Sequence, residues 1–152
     1  MARLYERMCA AEAVLAALLL MLMVALIFAG GLARLFQHPV NWAVDFATCF
    51  FAWACFLCAD VAWRRNSLMA IELLTDRLPP AAQKSCRLVN YGIISLFLVY
   101  VIGAGTWLSW ISRERSFQGI PEISYSWVTI SMPVGAALLL ITTMRKIRLE
   151  FA

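Results

Sequence analysis

Four stretches of this chain carry almost no charge, and each is long enough to cross a bilayer. Ala13–Ala33 reads AVLAALLLMLMVALIFAGGLA, and Trp42–Trp63 is interrupted only by Asp45 and Asp60. Leu88–Ser112 reads LVNYGIISLFLVYVIGAGTWLSWIS, and Ile123–Met144 reads ISYSWVTISMPVGAALLLITTM. A helix needs about 20 apolar residues to span ~30 Å of hydrocarbon at ~1.5 Å per residue. Within hydrocarbon the backbone must satisfy its own hydrogen bonds, so such runs are helices. They are too long and too uniformly apolar for barrel strands, and they lack the polar face that a soluble bundle requires. The 63% hydrophobic and 14% charged composition departs from the soluble average in the same direction. The sequence predicts an all-α membrane protein, a single domain over residues 1–152 with four transmembrane helices at about 11–34, 42–63, 88–112 and 123–145.

The first run exceeds the 7–15 apolar residues of a signal peptide, and Glu6 and Glu12 stand in or beside its head. An uncleaved first span is expected. Basic residues divide unequally between the two ends of these spans. One side holds Arg3 and Arg7, then Arg64, Arg65, Arg77, Lys84 and Arg87, then Arg145, Lys146 and Arg148; the other holds only Arg34, Arg113 and Arg115. The positive-inside rule assigns the richer side to the cytoplasm, with both termini there. The net charge of +4 is thus a topology signal and no argument for nucleic-acid binding. Trp42, Trp107, Trp110 and Trp127 fall near the outer ends and Trp63 near an inner end, as an aromatic belt would. Trp53 is mid-span, where it packs on another helix.

Spans two and three are joined by a charged segment that also carries Leu68, Ile71, Leu74 and Leu78. At ~100° per residue these four share one arc, with Glu72 and Asp76 elsewhere. Asn66 or Ser67 supplies a helix cap, and Pro79 and Pro80 supply a stop. About 12 residues cannot span a bilayer. The segment at about 66–78 reads as a cytoplasmic interfacial amphipathic helix, its apolar face on lipid or on a partner subunit.

Catalytic signatures are missing. Cys55 and Cys58 form C-x-x-C deep in an apolar helix, without a second pair or a nearby histidine, and read as packing residues. The lone histidine, His38, lies in a short outer loop, which excludes a bis-histidine haem between spans. No phosphate loop, metalloprotease motif or nucleophile elbow appears. Asp60 has Arg64 at i+4, a local ion pair at the interface. Asp45 and Glu12 are read in the first turns of spans two and one, where the helix dipole favours an acid. None is placed mid-bilayer, where a carboxylate coupled to proton export belongs. Gly103, and Ser131 with Gly135 at i+4, are small residues that let helices pack closely. Pro133 leaves the carbonyl of Thr129 without its partner and should bend span four.

In order and spacing these features resemble the small membrane subunit of tripartite ATP-independent periplasmic (TRAP) transporters. In that family an Arg ends span one, then Phe, Pro, Trp and acidic residues open span two; here stand Arg34, Phe36, Pro39, Trp42 and Asp45. A basic residue then closes span two before an amphipathic segment with an acid and a Leu-Pro stop: Arg64, Glu72, Leu78 and Pro79. Span four opens with Ser-x-x-Trp and carries a Pro near a small residue: Ser124, Trp127, Pro133 and Gly135. The resemblance runs from about Glu12 to Arg145. Val44 stands where the family often has a second acid, and Leu68 where it often has a histidine.

The resemblance implies an accessory subunit, not an enzyme, in a bacterial or archaeal inner membrane. Its partners would be a large multi-span subunit, which binds sodium and substrate, and a periplasmic protein that delivers an organic acid. It implies no cofactor in this chain and sodium only in the large subunit. Leu68, Ile71, Leu74, Leu78, Gly103, Ser131 and Gly135 are the expected contacts with the large subunit. Arg34, Arg113, Glu114 and Arg115 are candidate contacts with the binding protein, a solvated rim being the plainer reading. The basic inner flanks suit anionic lipid. Two other classes stay open: a small multidrug exporter, which needs an embedded carboxylate such as Glu12, and a thiol–quinone oxidoreductase using Cys55 and Cys58.

Overall fold

The computed structural model describes residues 2–38, 40–65, 80–117 and 119–151. The segment expected to form the interfacial helix, with Leu68, Ile71, Glu72, Leu74 and Leu78, lies outside the described residues, as does Pro39. The described chain is helical almost throughout. α1 spans Ala2–Leu35, α2 Asn41–Arg64, α3 Pro80–Ile111, α4 Ser126–Thr129 and α5 Ser131–Phe151. A short 3₁₀ turn, Ser112–Glu114, follows α3. Four helical stretches are long and apolar enough to cross a membrane: Met8–Leu35, Asn41–Arg64, Ser85–Glu114 and Ser126–Leu149.

Helix boundaries differ from the sequence reading in ways that local chemistry explains. α1 begins at Ala2, so Glu12 lies well inside a helix and not in its first turn. α2 begins at Asn41, which puts Asp45 just past the first turn. α3 starts at Pro80, well before the apolar run. Proline suits the first helical position, where its missing N–H leaves no bond unmade.

The fourth span is broken. Pro133 has no N–H for the carbonyl of Thr129, and the α-helix lapses at Ile130 before resuming at Ser131. The Ser131 hydroxyl donates to the Val128 carbonyl across the break at 2.7 Å. Pro133 is buried against α3 at Gly105, where an added Cβ would stand 2.9 Å from the proline Cδ. Gly105 therefore makes room for the kink.

Packing runs from α1 to α2, from α2 to α5 and from α5 to α3, so α2 and α5 are the inner members of a row. Small residues let α2 fill that position: Ala43, Ala47 and Ala54 are buried at helical spacing, with Leu57 and Asp60. Ala16 of α1 is buried too, and Gly30 lies close to the Cβ of Ala43. Between α3 and α5, Leu98 and Val101 pack with Ala136, flanked by Ile94, Ile102, Met132, Leu139 and Leu140. The edge helices leave broad apolar faces uncovered, including Met21, Val24 and Phe28 on α1 and Leu96, Phe97 and Tyr100 on α3. Water would penalise such faces, but lipid or another membrane subunit accepts them.

Candidate functional site

Two polar clusters hold the row together, one at each end. The first forms where the ends of α2 and α5 meet the early turns of α1. Arg64, the last residue of α2, bonds through its guanidinium to both Asp60 and Glu12. Asp60 is fully buried, and its second carboxylate oxygen accepts the Thr142 hydroxyl of α5 at 2.7 Å. One turn of α2 thus binds an acid from α1 and a hydroxyl from α5. A buried carboxylate requires this kind of company, because removing it from water is expensive unless it is paired and hydrogen-bonded.

Trp63, the neighbour of Arg64, extends the cluster. Its indole N–H donates to the Thr143 hydroxyl at 3.1 Å, and that hydroxyl donates to the Leu139 carbonyl at 2.7 Å. Lys146 donates to the Trp63 carbonyl and lies 4.4 Å over its ring. Tyr91 of α3 meets the same ring edge-on at 6.2 Å. All four spans therefore touch the pair Trp63–Arg64. The ion pair between Asp60 and Arg64 follows from their i+4 spacing, but their burial does not make them a surface pair. Glu12, Thr142 and Thr143 were not assigned to this cluster from sequence. The available signal was the acid itself: a carboxylate in an apolar run has more lone pairs than one arginine fills.

The second cluster sits at the other end, where the loop between α3 and α4 folds back over the start of α2. The Tyr125 N–H donates to the Arg115 carbonyl at 2.8 Å, and the Phe117 N–H donates to the Ile123 carbonyl at 3.0 Å. Phe117 is buried against Tyr125, ring centroids 5.6 Å apart. At the tip, the Gly119 N–H donates to the Asp45 carboxylate at 2.7 Å. A Cβ on Gly119 would come within 2.5 Å of the Trp42 backbone nitrogen, so glycine permits this approach. At the base, the Ser124 hydroxyl donates to the carbonyls of Ser112 and Arg113 and accepts the Ser126 N–H. Ser126 in turn donates to the Ser109 carbonyl at 3.0 Å. Below it, the Trp53 indole donates to the Trp127 carbonyl at 3.1 Å, joining α2 to α4.

This loop predicts a coupled pair of variants. Gly119→Ala should destabilise the chain by about 1–3 kcal/mol, since backbone atoms receive the new methyl. Asp45→Ala should cost about 1.5–3 kcal/mol, the value of a hydrogen bond to a charged group. Because both undock one loop, the double variant should lose little more than either alone, as read from thermal unfolding in detergent.

The remaining candidate residues fall in several environments. Arg34 is exposed at the end of α1, and Trp42 is exposed with its ring against Phe46. Arg113 lies 4.4 Å over the Trp110 ring; Glu114 and Arg115 are exposed on the loop beyond α3. Trp107, Trp110 and Trp127 are exposed at that same end. Ser131 is buried in the kink, and Gly135 faces Phe56 of α2. Gly103 is exposed, with open space where a Cβ would stand. Cys55 and Cys58 are free thiols on α2, the first exposed and the second partly buried. Among the described residues, no group of three or more His, Cys, Asp or Glu side chains is placed to hold a metal ion.

Over residues 23–152 the chain matches the family model of tripartite ATP-independent periplasmic transporters, DctQ component. It is 28% identical over 120 residues to the sialic acid TRAP transporter small permease protein SiaQ of Vibrio cholerae, across 77% of this chain and 67% of that protein. It is 23% identical over 128 residues to a Haemophilus influenzae chain described as a TRAP transporter small permease protein, across 82% of this chain and 79% of that one. The chain belongs to this family: it is a small, membrane-spanning permease component of a TRAP transporter, which works with other TRAP components in the inner membrane.

Proposed function

We propose that this TRAP small permease is an accessory scaffold that braces the large permease subunit of a sodium-driven importer. The large subunit would bind sodium and substrate, and a periplasmic binding protein would deliver an organic acid, the chemical class of the sialic acid named for the Vibrio cholerae relative. The chain would have no cofactor and no ion site of its own, and its termini would face the cytoplasm, as its basic residues favour.

The observation that carries this reading is the use made of the carboxylates within the spans. Glu12 and Asp60 are held by Arg64, and Asp45 holds the backbone of the opposite loop. Glu12 and Asp60 tie α2 to α1 and α5, and Asp45 ties α2 to the loop beyond α3, which is what a brace requires. A proton-coupled exporter requires a carboxylate that binds and releases its cargo, and Glu12 is tied to Arg64. The row supports the same reading, because α1 and α3 each offer an apolar face to a larger partner. Gly103 and the 66–78 segment are the proposed points of closest contact with it, and Arg34, Arg113, Glu114 and Arg115 the proposed rim facing the binding protein.

Reconstitution tests the proposal. Proteoliposomes holding this chain with its large subunit should take up the organic acid only when the binding protein and an inward sodium gradient are supplied. Vesicles holding this chain alone should take up none, and uptake by the chain alone would overturn the accessory role.

A further inference from the structure

We draw no further inference here: the strongest candidate, the uncovered face of α3 that carries Gly92, Leu96, Gly103 and Trp107 away from the α5-packed Leu98 and Val101, is an apolar face of a membrane-spanning helix, and nothing in the structure shows what covers it.

Discussion

Arg64→Met is expected to be among the most damaging single changes in this chain, costing about 3–5 kcal/mol of stability. The methionine fills much of the same space, so the loss is electrostatic. Asp60 is fully buried, and without the guanidinium the Thr142 hydroxyl is its remaining partner among the described residues. Glu12 loses the same partner. Two carboxylates then lose the guanidinium that bridged them, and α1 loses a polar tie to α2. Arg64→Lys separates the effect of charge from that of geometry. It keeps a cation for topology but lacks the planar fork that reaches two acids at once, so it should fall between wild type and Arg64→Met. The decisive comparison is the triple variant Glu12→Gln, Asp60→Asn, Arg64→Met. Removing one partner of a buried ionic group is far worse than replacing the whole group by neutral residues. The triple variant should therefore recover most of the loss in thermal or denaturant unfolding in detergent micelles. A single variant as stable as wild type, or a triple variant as damaged as the single, would show that the cluster does not hold the helices together.

The contrast between Arg64 and its partners explains what could be read from the sequence. Hydropathy sums over some twenty residues, so the four spans emerge without knowledge of any contact. Pro133 acts through its own covalent structure, and the break at Ile130 needs no partner to be foreseen. Asp60 and Arg64 share a helix, so their pairing follows from the period of that helix. The other ties are between residues far apart in the chain: Arg64 to Glu12, Asp60 to Thr142, and Asp45 to Gly119. Nothing local marks them. Glu12 looked like a dipole-matched acid because its helix was expected to begin nearby, yet α1 starts ten residues earlier, at Ala2. Gly119 is not singled out by the sequence reading, and its approach to the Trp42 backbone gives the missing side chain a purpose.

Gly135 supplies the second large effect, because the sequence marked it as a small residue and the structure names what it admits. A Cβ there would lie 2.3 Å from the Cβ of Phe56 and 2.5 Å from its Cγ. Turning the ring cannot relieve a clash with Cβ, so α2 and α5 must move apart. That displacement strains the ties on either side of it, Trp53 to the Trp127 carbonyl and Asp60 to Thr142. Gly135→Ala is expected to cost about 1–3 kcal/mol or more through overpacking, set against a gain of about 1 kcal/mol from helix propensity. Gly135→Val should be worse still. Gly31 is the internal control: it is also helical, but a Cβ there meets nothing within 4 Å. Gly31→Ala should leave the unfolding midpoint of the isolated chain unchanged or raise it. Phe56→Ala should not rescue Gly135→Ala, because it keeps the offending Cβ, whereas Phe56→Gly should relieve the overlap. Equal midpoints for Gly135→Ala and Gly31→Ala would mean that α2 and α5 do not meet at Gly135, and the row would have to be held by its polar ends alone.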